Sequence, residues 1–139
     1  MAAFNKFNSF VEALAEKVHK LDTDVLKVAL TNALPGAANT VLTNITQIAN
    51  GNGYTTGGTQ AVQVSSAQSG GIYKLVLNDV TFTAGPSSMG AFQYVVLYND
   101  TAANDELIGW YDYGTALTIT NGNSFTVDFD GANGVLTIA

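Results

Sequence analysis

Hydrophobic residues near the start of the chain recur at alternating intervals of three and four, which is typical of an amphipathic helix. The pattern predicts one helix over roughly residues 8–20, with Ser9 and Glu12 at capping-box spacing. Its apolar stripe, including flanking positions, consists of Phe4, Phe7, Val11, Leu14, Val18 and Leu21. Two placements stay open, because the stripe can pack on the chain's own sheet or on another subunit.

The single histidine, His19, lies off this stripe and is flanked by Lys17 and Lys20 near the end of the predicted helix. Cations in a last turn interact favourably with the helix dipole and usually face water. We therefore expect His19 to be a solvated last-turn residue.

After Leu21 the hydrophobic period changes to two, and turn signals such as Asn121-Gly122 separate the segments. Residues 39–48 are ambiguous between an extended arm and a short helix. Strands are predicted over 25–31, 61–66, 71–83, 91–98, 106–113, 116–120, 125–130 and 134–138. Short strands divided by turns predict a mainly β single domain over 1–139, with an N-terminal amphipathic helix in 1–21 and a jelly-roll-like antiparallel β sandwich in 22–139.

In two predicted strands the sequence also indicates which side chains face the core. Phe125, Val127 and Phe129 alternate with polar residues, so we expect these three side chains to face the core. Within 71–83 the inward phase shifts after Leu77, which makes Asn78-Asp79 a candidate β-bulge.

Charged residues make up only 12% of the chain, about half the usual share, and the net charge is −6. All five cations are lysines, and residues 28–139 carry the whole net negative charge. Nucleic acids and anionic membranes require cations, so neither is an expected partner. The N-terminal residues lack the charged and apolar regions of a secretory signal, so we expect cytosolic synthesis without a cleaved leader.

The segment 50–59, NGNGYTTGGT, is rich in glycine but does not match a phosphate-binding loop. No lysine follows the last glycine, and the third glycine of a dinucleotide fingerprint would come one position late. We expect a flexible polar loop that is available for protein contacts, with Asn52 and Tyr54 as candidate interaction residues.

Catalytic constellations are incomplete. A serine triad would have to use His19, and no Gly-x-Ser-x-Gly elbow is present. Glycoside hydrolysis needs two carboxyl groups, and Asp112 is a candidate to pair with Glu106, Asp128 or Asp130. Sugar binding without catalysis is a further hypothesis, in which Trp110, Tyr111 and Tyr113 form an aromatic platform. The plain alternative is that these residues simply alternate in and out along one strand.

Residues 128–134, DFDGANG, begin like a calcium loop. An EF-hand loop needs an oxygen ligand at its fifth position and a glycine at its sixth, where this chain has Ala132 and Asn133. A hairpin turn is the preferred interpretation, and we expect no metal, no cofactor and no enzymatic activity.

Three stretches resemble small structural proteins of tailed bacteriophages, of the head-decoration or cement type. They are FNKFNSFVEALAEKVHKL leading to VLKVALTN, NTVLTNITQIANGNGYTTGG, and FQYVVLYNDTAANDELIGWYDYG. The resemblance covers rather more than half of the chain and concerns its overall plan. It implies a sandwich or jelly-roll subunit that is synthesised in the cytoplasm of a bacterial host and sits in many copies on the capsid surface of the virion. There it would bridge neighbouring subunits of the major capsid protein, and we also expect it to form homo-oligomers.

A tail or neck component, or a receptor- or glycan-binding module of the same virions, is the alternative. If the decoration role holds, we expect Phe4, Phe7 and Val11 to make contacts outside the subunit. The 50–59 loop and the arm over 32–48 are the next candidates, because long loops in compact domains are often functional.

Overall fold

The computed structural model describes residues 2–139, so Met1 of the predicted helical segment lies outside the described residues. Strands account for 46% and helices for 7%, which confirms the mainly β class with one N-terminal helix. The helix α1 spans Ser9–Ala15. The strands are β1 (Asn5–Lys6), β2 (Leu26–Thr31), β3 (Thr59–Gln60), β4 (Gln63–Ser69), β5 (Ile72–Leu77), β6 (Val80–Thr83), β7 (Met89–Asn99), β8 (Leu107–Ile119), β9 (Ser124–Val127) and β10 (Leu136–Ile138).

Antiparallel pairing arranges these strands in a main sheet, ordered β1-β8-β7-β2-β3, and two smaller sheets, β10-β5-β4 and β6-β9. The main sheet packs against the smaller sheets across the larger hydrophobic core. Side chains from every layer meet there, among them Val28, Leu75, Phe82, Val95 and Leu97. The arrangement is therefore sandwich-like.

A second hydrophobic cluster lies on the outer face of the main sheet. Val96 and Tyr98 of β7 alternate with core residues and point to this side. Leu42 and Ile45, from the segment between β2 and β3, cover them together with Phe7. The part of the outer face around Val96 and Tyr98 is therefore covered by the chain itself.

Residues 32–48 form a segment that we name the arm. The sequence pattern left part of it, residues 39–48, open between an extended arm and a short helix. The arm is irregular, with a turn at 37–38, a 3₁₀ turn at Leu42–Asn44 and isolated β-bridges at Val41 and Gln47. Backbone hydrogen bonds tie it to the main sheet, from Leu107 N to Thr40 O at 3.0 Å and from Ile48 N to Leu30 O at 3.0 Å. These contacts place the arm on its own subunit.

The predicted helix over 8–20 is wrong at its C-terminal end. Lys17 has a positive φ of 66°, and Val18 N donates to Ala13 O at 2.8 Å. This six-to-one hydrogen bond is the mark of a Schellman motif, which reverses the chain after the last helical turn. The capping box at Ser9 is absent too, since no side chain caps the N-terminus.

The predicted apolar stripe is also wrong in part. Phe7 and Phe10 are buried, whereas Val11 is 53% exposed and Val18 is 36% exposed. Phe7, Phe10 and Leu14 have the same three-and-four spacing as the predicted stripe and are the ones that face the chain's own hydrophobic clusters. The helix therefore packs in cis and leaves Val11 uncovered.

Two strand predictions need correction. Residues 71–83 are not one strand with a bulge, because Asn78-Asp79 is where the chain crosses from β5 to β6 in a different sheet. Conversely, the segments predicted over 106–113 and 116–120 fall in one strand, β8, because both pair with β7. The register of that pairing shifts between Tyr94↔Asp112 and Phe92↔Leu117. Four residues of β8, 113–116, thus bulge opposite one residue of β7, at Gly114 with φ 97°.

Candidate functional site

The strand β8 presents its aromatic residues to opposite faces of the main sheet. Trp110 packs on the outer cluster, where its ring centroid lies 4.7 Å from that of Phe7. Tyr111 packs on the inner core, with its ring centroid 5.6 Å from that of Phe4. Strand alternation alone produces this separation. Trp110 therefore does not form one continuous platform with Tyr111 and Tyr113.

A groove opens between β8 and β9 at one side of the sandwich, with a volume of about 240 Å³. We call it the β8–β9 groove. Its apolar lining consists of Val95, Tyr111, Tyr113, Phe125 and Val127, and its remaining lining residues are Ala2, Thr126 and Asp128.

The groove remains open because of how its two walls are paired. Strand β9 is hydrogen-bonded to β6 on one side, and within residues 2–139 no strand pairs with its other edge. On the opposite wall, β1 pairs with β8 only at Gly109 and Trp110. The two smaller sheets and the main sheet therefore leave a gap at this side.

Aromatic rings form the walls of the groove. Tyr113 meets Phe125 edge to face, with ring centroids 5.9 Å apart, and 52% of its surface is exposed. Tyr111 lies deeper, with its ring centroid 6.1 Å from that of Phe129. Aromatic surface in an open groove is suited to contact with an apolar side chain or a sugar ring.

Two carboxylates, those of Asp128 and Asp130, lie at or near the apolar lining. Burial, together with the nearby Asp130 carboxylate, raises the pKa of Tyr111 to about 12. Asp128 borders the groove, whereas Asp112 follows Tyr111 on the strand and so points to the opposite face, where it accepts a hydrogen bond from Gln93. The ion pairs within residues 2–139 are Lys20–Asp22 and Lys27–Asp100, so neither Asp112 nor Asp128 is neutralised by a lysine.

The predicted carboxyl pairs behave as turn-forming groups. Asp130 accepts hydrogen bonds from Asn133 N at 2.8 Å and Ala132 N at 2.9 Å, and those with Asn133 lower its pKa. Asp112 accepts from Gly114 N at 2.7 Å and so holds the β8 bulge. A glycosidase acid needs a raised pKa, which is the opposite of the shift at Asp130.

His19 is not solvated, which corrects the sequence-based expectation. It is 4% exposed, and its Nδ1 accepts a hydrogen bond of 3.0 Å from the Asn99 side-chain amide. The same amide donates to Asp24 at 2.6 Å. Burial lowers the pKa of His19, while the Glu106 and Asp24 carboxylates oppose that shift.

This buried network, His19–Asn99–Asp24, ties the segment after α1 to the end of β7. With Nδ1 as acceptor, the neutral ring carries its proton on Nε2, which has no hydrogen-bond partner within the described chain. The Phe10 ring lies beside it, with ring centroids 5.3 Å apart. The hydrogen-bond partner of the His19 ring is the Asn99 amide, and not the serine hydroxyl that a triad would require.

The 50–59 loop is anchored by its own side chains, in contrast to the flexible loop that we expected. Tyr54 is buried, and its hydroxyl donates to Gln47 Oε1 at 2.6 Å. The Tyr98 hydroxyl donates to Gly57 O at 2.6 Å. Burial raises the pKa of Tyr54 to about 12. Among the interaction candidates of this loop, only Asn52 is exposed.

The structure divides the sequence-predicted interaction residues among four places. Phe4, Tyr111 and Tyr113 lie at or beside the β8–β9 groove. Phe7 and Trp110 lie under the arm, Val11 lies on the exposed side of α1, and Asn52 and Tyr54 lie in the loop. Phe7 and Tyr54 are at most 1% exposed and present no surface to a partner.

Sequence reasoning did not predict the groove, nor the part of Val95 on β7 in lining it. The alternation correctly placed Phe125 and Val127 inward, but it carried no sign that the gap beside them stays open. That property depends on β9 pairing with β6 alone, which is a long-range feature of the topology.

Within residues 2–139, no cluster of three or more His, Cys, Asp or Glu side chains could hold a metal ion. The one helix of that region is too short to cross a bilayer. Comparisons with protein-family models, with curated proteins and with solved structures gave no match to this chain.

Proposed function

We propose that this chain is a bacteriophage head-decoration protein, which binds the lattice of the major capsid protein and stabilises the shell. The observation that carries the proposal is the open, aromatic β8–β9 groove. Aromatic surface left uncovered in a folded monomer is a common mark of a protein-binding site. The sequence resemblance to head-decoration proteins supplies the identity of the partner.

Two further features support a role in assembly. Residues 28–73 contain no charged side chain, so a wide part of the surface presents hydroxyls, amides and small side chains. Val11 and Val18 also leave apolar surface uncovered beside α1. Weak contacts of this kind become effective when a symmetric shell repeats them many times.

The proposal is tested by deleting the reading frame from the phage that encodes it. We expect wild-type heads to contain the protein in a fixed ratio to the major capsid protein, and heads without it to rupture at a lower temperature. Quantitative mass spectrometry of purified heads and a heat-release assay for DNA measure both. Absence of the protein from heads, with presence in tails, would favour the tail or neck alternative.

A glycan-binding module of the virion is the second candidate, favoured by the half-exposed Tyr113 beside Asp128 in the groove. A ring that stacks on Tyr113 and donates hydroxyl hydrogen bonds to Asp128 would fit that chemistry. Binding on a glycan array that disappears with Tyr113→Ala would support this candidate. Lack of signal across a broad array would count against it.

A further inference from the structure

We propose that the β8–β9 groove takes up an extended segment of another protein, which adds as a strand to the free edge of β9. The segment would carry an apolar side chain for the groove and a Lys or Arg beside it. This inference rests on the proposed function, since it specifies how the decoration protein would hold a shell subunit.

The backbone of β9 supplies the first part of the argument. β9 pairs with β6 through Val80↔Val127 to Thr83↔Ser124, and no strand within residues 2–139 pairs with its other edge. Residues 125–128 line the groove together with Tyr111 and Tyr113 of β8. In an antiparallel pair, every second residue directs its N–H and C=O groups to the same side. An added strand would satisfy the groups on the open side and would bridge the two layers of the sandwich.

The side chains of the groove supply the second part. An alternating segment laid along β9 directs every second side chain toward the interior of the sandwich. There it would contact Tyr111 and Val127, with Tyr113 and Phe125 on either side. The volume of about 240 Å³ exceeds that of one large side chain, so an aromatic residue or two aliphatic ones would fit.

The negative charge at the rim of the groove distinguishes between a second copy of this chain and a segment of another protein as the occupant. Asp128 at the rim has no lysine partner within residues 2–139, and the carboxylate of Asp130 lies near Tyr111. A second copy of this chain has a net charge of −6 and would bring like charge to the same place. A foreign segment with a cation beside its apolar residue is complementary to the rim. We therefore assign the groove to a basic, apolar segment of the shell subunit.

The experiment uses heads prepared from the deletion phage and the purified full-length chain. Hydrogen–deuterium exchange is measured on the free protein and on the protein bound to heads. We expect residues 124–127 to exchange at least about tenfold more slowly in the bound form. The free edge of β4, over Gln63–Ser69, serves as an internal control and should change little.

Two exposed substitutions test the side chains. Tyr113→Lys and Asp128→Lys should each weaken binding to heads at least about tenfold. The matched controls are Ile72→Lys, at a position that is 49% exposed on another sheet, and Asp22→Lys, which reverses an exposed carboxylate in the turn before β2. Each control should change the apparent Kd less than about twofold. Circular dichroism and thermal melts verify that all four variants fold.

The outcomes separate this inference from the proposed function. If the wild-type chain does not bind heads, the decoration role is overturned. If it binds, but residues 124–127 keep their free exchange rate and Tyr113→Lys binds normally, the decoration role stands and the groove inference is overturned. Slow exchange at 124–127 in the concentrated free protein would assign the groove to a second copy instead, and would also overturn it.

Discussion

Trp110 and Tyr111 are adjacent in β8 but belong to different hydrophobic clusters, one on each side of the main sheet. Trp110 contacts Phe7 under the arm, whereas Tyr111 contacts Phe4 at the groove. A tryptophan in the sequence WYDY is easily taken for a surface ligand platform. In the folded chain its ring instead fixes the N-terminal segment on the sheet.

We expect Trp110→Ala to lower the free energy of unfolding by about 2 to 3 kcal/mol, because the ring leaves a void against Phe7. Tyr113→Ala, at a half-exposed position on the same strand, should lower it by less than about 1 kcal/mol. Urea unfolding of both variants provides the comparison. Equal losses would contradict the division of β8 into a covered and an open face.

Stability should decrease as the solution is acidified below pH 6.5, because burial lowers the pKa of His19 in the folded protein. The unfolded chain, with an ordinary histidine pKa of about 6.5, binds the proton first, so protonation favours unfolding. The stabilisation is complete above that value and is lost as the pH falls toward the folded pKa. Thermal melts between pH 7.5 and 5.5 measure the slope.

His19→Gln provides the control for this pH dependence, since glutamine keeps an amide in the Asn99–Asp24 network but does not titrate. The variant should be less stable at pH 7.5 and show a flatter dependence on pH. A slope identical to that of the wild type would assign the effect to other groups.

Gly58 should tolerate no side chain. It has a positive φ of 74°, and a Cβ there would overlap the carbonyl oxygen of Val28. Gly71 also has a positive φ, 84°, but open space around it. Gly58→Ala should therefore cost about 3 kcal/mol or more, and Gly71→Ala about 1 kcal/mol. Similar losses in chemical denaturation would show that the 50–59 loop does not lie against β2.

Phe10 and Val11 are adjacent on α1 and differ in burial, 4% against 53% exposed. Phe10→Ala should lower the free energy of unfolding by about 3 to 4 kcal/mol, and Val11→Ala by less than about 1 kcal/mol. If Val11 contacts a shell subunit, Val11→Lys should weaken head binding without changing the melting temperature. A large loss of stability in Val11→Ala would instead restore the helical stripe predicted from the sequence.

Hydrophobic alternation with a period of two correctly predicted the inward side chains of strands that have one buried face. Phe125, Val127 and Phe129 lie inward as their alternation indicates, and the strand around Val28 falls where it was expected. Local sequence carries this information, because a residue at the wrong phase would expose an apolar side chain. The existence of the N-terminal helix was predictable because its apolar residues recur at intervals of three and four, which is also a local pattern.

Features that depend on distant partners were not predictable. His19 is surrounded in sequence by lysines and acids, and its burial depends on Asn99, eighty positions away. The early end of α1 follows from the left-handed conformation of Lys17, a residue type with no marked preference for it. The open groove likewise depends on which strand β9 selects as a partner.

The arm has a consequence for where a partner could reach the main sheet. Residues 32–48 lie over part of one broad face of that sheet, and the smaller sheets pack on the other, so this chain itself occupies much of both faces. Under the proposed decoration role, a shell subunit would therefore meet the molecule at strand edges and loops rather than across the main sheet.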